Sequence, residues 1–218
     1  MGKKPIITQK QEAILFRVKE SDYLRSHVYF TGGTVLSAYY LHHRYSDDLD
    51  LFSETKLDNQ TIFTLVSQWS SELKFTFTTQ ISEVVQMFMF KFSDGSEFKV
   101  DFAHYPYKRL EEGMLKDGLR IDSLLDIAVN KTLTISQRTD VKDFVDFYYL
   151  EQKFGLWDLV EGLKIKFRIE TEPFLMAADF LKADEFTFMP RMIKTLSLAT
   201  LKAFFRKQAK EAGKRAVE

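Results

Sequence analysis

Residues 30–52 read "FTGGTVLSAYYLHHRYSDDLDLF", and this stretch decides the fold of the first half of the chain. The run "HVYF" before it is a short strand, broken by Gly32-Gly33, after which Thr34 to His43 resumes as a helix carrying Val35, Leu36, Tyr39 and Tyr40 on one side. "DLDLF" is then extended. Its period of two sends Asp48 and Asp50 to one face and Leu49 and Leu51 to the other. Asp47, Asp48 and Asp50 repel one another and stand directly before Leu51 and Phe52, so a neutralising partner is required. A hard divalent ion such as Mg²⁺ answers that need, because it takes oxygen ligands and shares them with substrate phosphates. The strand-like "KVDF" offers Asp101 as a third carboxylate. Gly32 and Gly33 fit the same scheme, since glycines at a strand-to-helix junction let backbone N–H groups approach phosphate. Two metals would align an attacking hydroxyl and a leaving pyrophosphate, with positioning and charge stabilisation carrying the rate.

Working outward, residues 9–26 have helical spacing (Ala13, Ile14, Phe16, Val18), and residues 58–71 are a further helix. Three strands follow in "KFTFTTQI", "VVQMFMFKF" and "EFKVDFAHY", with Asp94-Gly95 as the turn between the last two. Past Pro106 and Gly118 the pattern becomes helical, over 122–137, 140–154, 156–168, 172–183 and 197–216. The fold class expected is α+β: a small mixed sheet with flanking helices in residues 1–110, then a helical half in 111–218.

Composition narrows the chemistry. The 218 residues suit one large or two small domains, and the 21 phenylalanines read as core filling. A formal net charge of zero confines any nucleic-acid surface to a local patch. The absence of cysteine removes disulfides, thiolate nucleophiles and sulfur-ligated metals together. The opening "MGKKPIITQKQEA" lacks the apolar core of a signal peptide and does not complete a myristoylation signal, and no apolar run reaches membrane-spanning length. A cytoplasmic protein without membrane association is expected.

Residues 30–52 resemble the nucleotidyltransferase core of the AbiEii/AbiGii toxin family, within the DNA polymerase β-like superfamily. The resemblance continues in "IDSLLDIAVNKTLTISQRTDVKDFVDFYYL" at 121–150, with Ile127-Ala128, Lys131, Arg138, Lys142-Asp143 and Asp146 at the matching positions. It implies nucleotide transfer from an NTP, with Mg²⁺ or Mn²⁺, to tRNA, another RNA or a protein, and a cognate antitoxin as partner. Under the family pattern Asp48 and Asp50 bind metal and Gly32 and Gly33 hold phosphates; Asp101 joins the metal set and Thr34 the nucleotide-binding set as candidates from their positions in this sequence. Lys131 and Asp146 serve nucleotide binding or catalysis, and the helical half closes over the nucleotide.

The residues of the second block allow two readings. Lys131 lies one turn beyond Ile127 and Ala128 on a partly apolar face, so its ammonium either meets an anion or pairs with Asp143 or Asp146 as structural glue. Asp143 is expected to pair with Arg138, leaving Asp146 toward the nucleotide. His42-His43 and Arg44 end a helix, where cations suit the dipole; a third histidine or cysteine that would make a zinc site is missing nearby. The basic tail (Lys202, Arg206, Lys207, Lys210, Lys214, Arg215) is either a solvated face or a grip on RNA backbone. Three functions remain open: transfer to a macromolecule, transfer to a small molecule such as an antibiotic, and a non-catalytic nucleotide-binding module.

Overall fold

The computed structural model describes residues 5–216; the first four residues of the opening stretch lie outside the described residues. Two units are distinguished: Met1–Tyr40 with Ser46–Lys108 and Glu112–Ser123, and Leu41–Tyr45 with Arg109–Glu111 and Leu124–Glu218. The architecture is α+β, with the whole sheet in the first unit and a helical second unit.

In the sheet unit, α1 (Gln9–Glu20) opens on a reciprocal cap between Thr8 and Gln11. Ser21 then ends it and caps α2 (Asp22–His27), its hydroxyl accepting from the Leu24 N–H at 3.3 Å, so the expected single helix over 9–26 is two. Ile14 and Val18 face inward, one turn apart, whereas Phe16 points to solvent. The chain continues through β1 (Tyr29–Thr31), the short α3 (Gly32–Val35), a π-helical turn (Leu36–Leu41) and β2 (Leu49–Ser53). Helix α4 (Asn59–Leu73) starts at the Asp58 cap and stops at Lys74, which takes a left-handed conformation. The three expected strands, β3 (Phe75–Ile81), β4 (Val85–Phe92) and β5 (Glu97–His104), pair antiparallel in sequence.

Residues 112–123 belong to this sheet rather than to the helical half, so the sheet runs past the residue-110 division. Strands β6 (Met114–Lys116) and β7 (Leu119–Ile121) are joined by Asp117-Gly118, both at positive φ, the requirement of a two-residue hairpin turn. Strand β7 pairs parallel with β1. The order is β3-β4-β5-β2-β1-β7-β6, with β2 also parallel to β5. One face is filled by phenylalanines; Phe75 and Phe90 stack at 4.4 Å, and Phe88, Phe98 and Phe102 continue the layer.

The helical unit contains α5 (Leu124–Gln137), α6 (Val141–Phe154), α7 (Leu156–Phe167), α8 (Pro173–Leu181) with a 3₁₀ turn, and α9 (Leu198–Arg215). Phe144, Phe147, Phe180 and Phe205 meet in its core at ring separations from 4.8 to 5.8 Å. Gly162 lets α7 approach α5 closely, since a Cβ there would stand 2.4 Å from a Val129 methyl. No described helix is long and apolar enough to cross a membrane.

Candidate active site

In the sheet unit the parallel register of β2 and β5 sets Asp50 beside Asp101, while Leu49 beside Val100 and Leu51 beside Phe102 fill the opposite, buried face. The alternation in "DLDLF" thus delivers an acid to the face away from the core, and "KVDF" delivers a second acid next to it. Asp50 is also the register partner of Thr31 on β1, which carries it to the start of the Gly-Gly turn. Gly32 has φ +78°, and a Cβ on it would stand 1.9 Å from Asp50 Oδ2. Glycine is therefore required twice, by the backbone conformation and by the carboxylate lying against it.

Asp48, half-buried, stands two residues before Asp50, and its backbone carbonyl accepts from the Thr34 hydroxyl. Thr34 is fully buried and its hydroxyl holds the entry to β2. Asp47 is exposed, and its carbonyl accepts from Gln11 Nε2 at 2.6 Å. The neutralising partner demanded by the aspartates includes a residue the sequence reading passed over. Lys99 Nζ lies 2.5 Å from Asp101 Oδ2, while Asp101 Oδ1 is buried with no hydrogen-bond partner among the described residues. Asp48, Asp50 and Asp101 were expected to meet at one point. Among the described residues, however, no three histidine, aspartate or glutamate side chains are gathered as an ion site. Hard oxygen donors, one with a spare buried oxygen, nevertheless suit a divalent cation in kind.

A second residue that sequence reasoning missed is Asp122, buried at the end of β7. Its carboxylate accepts from the Thr31 hydroxyl at 2.6 Å, its N–H donates to the Phe30 carbonyl at 2.9 Å, and its own carbonyl accepts from Tyr40 at 2.7 Å. It clamps the strand end from which Gly32 turns.

In the helical unit the second motif block builds a buried ionic network. Lys131 Nζ donates to Asp143 Oδ1 at 2.7 Å and lies 2.8 Å from Asp146 Oδ2, and Arg138 donates to Asp143 Oδ2 at 2.7 Å. Arg44 grips Asp146 with Nε and Nη2, both at 2.7 Å, and His43 Nε2 meets Asp146 Oδ1 at 2.7 Å. The expected Arg138–Asp143 pair is therefore present, but Lys131 joins both acids. Burial would push Lys131 down; the charges of Asp146 and Asp143 overcome it and raise its pKa. Burial likewise opposes ionisation of Asp146, yet Arg44 and Lys131 hold its carboxyl well below the usual range. For His43 desolvation wins over Asp146, and its pKa is lowered, so it is neutral near pH 7. His43 and Arg44, read as a helix end, are thus buried partners of Asp146. In the tail, Lys202 and Arg206 bind Asp184, Lys214 pairs with Glu211, and Arg215 lies over Trp157.

A family model described as "Nucleotidyl transferase AbiEii toxin, Type IV TA system" matches residues 13–216. The chain belongs to the AbiEii family. An Aquifex aeolicus protein of unassigned function is 33% identical over 141 residues, a match that spans 63% of this chain and 63% of that relative's length. The fold is similar to two Helicobacter pylori crystal structures. One, a candidate nucleotidyltransferase, has TM-score 0.57 at 17% identity, with 96% of this chain and 97% of that chain covered. The other, JHP933, has TM-score 0.55 at 18% identity, with 96% and 94% covered. Residues 30–52 carry the aspartate strand of the sheet unit together with His43 and Arg44, and residues 121–150 carry Lys131, Arg138, Asp143 and Asp146 of the network that these two join.

Proposed function

We propose that this AbiEii-family chain moves a nucleoside monophosphate from an NTP to a macromolecular acceptor, tRNA or protein, as the toxin of a toxin–antitoxin pair in the cytoplasm. The observation that carries the reading is the side-by-side register of Asp50 and Asp101 against Gly32, a position no side chain can share. In the reaction an acceptor oxygen bonds to the α-phosphorus as the α–β bridging bond breaks and pyrophosphate leaves. Asp48, Asp50 and Asp101 are the carboxylates that would hold Mg²⁺ or Mn²⁺, and such an ion supplies charge neutralisation at the triphosphate. Gly32 and Gly33 offer backbone close to phosphate, while Thr34 and Asp122 hold the segments on either side of the turn. Lys131 uses two of its three donors on Asp143 and Asp146, and we assign the third to a nucleotide phosphate, with Asp146 orienting the ammonium.

Incubation with each labelled NTP and total RNA, with Mg²⁺ or with chelator, tests the proposal. Label should pass to a macromolecule for at least one NTP, and should be lost with chelator and in Asp50→Asn. Failure of transfer with every NTP and acceptor, or full transfer by Asp50→Asn, overturns it.

A further inference from the structure

Strand β5 carries a lysine two residues before Asp101, hence on the same side of the sheet. Lys99 stands opposite Met89 and Asp101 opposite Met87 on β4, alternating with the buried Phe98, Val100 and Phe102. The Lys99 ammonium lies 2.5 Å from one oxygen of Asp101, and the other oxygen is buried without a hydrogen-bond partner among the described residues. The Lys99 side chain keeps 28% of its exposure and that of Asp101 15%, so the pair is shielded but not sealed. The Lys99 ammonium thus sets a positive charge against Asp101, the register neighbour of Asp50.

We infer that Lys99 is the built-in counter-ion of the aspartate face, holding Asp101 beside Asp50 and competing with a divalent cation for the Asp101 carboxylate. The inference rests on the proposed cation site and adds a positioning residue that is not itself a ligand. An ammonium on a flexible four-carbon stem can leave Asp101 when a stronger charge arrives. While it stays, it occupies an acceptor and repels the incoming ion. Affinity for the cation is then set by how firmly Lys99 holds.

The test is Mn²⁺ binding to the full chain without nucleotide, followed by the paramagnetic resonance signal of free Mn²⁺. Lys99→Met keeps the stem and removes the charge, so Mn²⁺ should bind more tightly, on the order of tenfold, the scale of one charged hydrogen bond. Lys99→Arg should restore the wild-type value, which a loss of packing alone would not reproduce. Lys99→Gln serves as a second neutral variant should Lys99→Met not fold. Unchanged or weaker binding in the neutral variants, with binding abolished in Asp50→Asn, overturns the role of Lys99 and leaves the cation site standing. No binding at millimolar Mn²⁺ by wild type or by the neutral variants removes the cation site itself, and this inference with it.

Discussion

Two pairs of aspartates in this chain are treated in opposite ways. In the helical unit all four oxygens of Asp143 and Asp146 are met by Arg44, His43, Lys131 or Arg138 at 2.7 to 2.8 Å, and both side chains are at most 1% exposed. In the sheet unit Asp101 keeps a buried oxygen without a hydrogen-bond partner among the described residues, and its other oxygen is held by a partly exposed lysine. Completed hydrogen bonding makes an acid pair part of the architecture; spare acceptor capacity beside a glycine turn makes one available to a ligand. The acids of the sheet face and those of α6 therefore differ in what they do for the fold.

The largest expected effect would come from breaking the completed side. Asp146→Ala strips the buried Arg44 of its carboxylate and Lys131 of one of its two, and should lower stability by about 3–5 kcal/mol in denaturant unfolding. Asp101→Ala should change stability by only about 1 kcal/mol while abolishing transfer, because its pair with Lys99 is partly solvated. Equal losses in the two variants would erase the contrast. Lys131→Ala comes next, with an expected loss of about 3 kcal/mol. A thermal melt with and without Mg²⁺-NTP sharpens the assignment, since a nucleotide-contacting lysine takes the ligand-induced shift with it. A full shift in the destabilised variant would make Lys131 purely architectural.

Gly32→Ala probes the open side. Its positive φ costs an L-residue roughly 1–2 kcal/mol, and the added methyl must displace the Asp50 carboxylate. Transfer should be lost with only that modest destabilisation; an active Gly32→Ala enzyme would separate Asp50 from the chemistry. The smallest effect is the pH dependence of the completed side. His43 has a lowered pKa, so between that value and about 6.5 the unfolded chain takes up a proton that the folded chain refuses. Stability should fall as pH drops below about 6.5, by at most about 1.4 kcal/mol per pH unit, and His43→Gln should flatten that slope. The contribution of Asp143 and Asp146, whose pKa values are depressed, is fully present above about 3.9 and disappears only as pH falls further, through their folded values. Denaturation midpoints from pH 7 to pH 3 check both stages.

What the sequence determined by itself is local. The alternation of "DLDLF" and "KVDF" settled which faces Asp50 and Asp101 would take, Asp94-Gly95 marked its hairpin, and helical spacing located α4 to α7 closely. Asp117-Gly118 carried an equally local signal for the β6–β7 hairpin, but three-residue strands are too short for periodicity to reveal. Only the tertiary structure decided the partners. Periodicity says that a side chain faces the core or solvent, not which distant strand lies beside it; Asp101 was grouped with Asp50 on the chemistry of a cation site, and the parallel register that joins them came only with the fold. The same holds for His43 and Arg44, which meet Asp146 across 103 and 102 residues of chain. A buried carboxylate must find cations wherever packing brings them, and no spacing rule connects residues that only the folded core puts in contact.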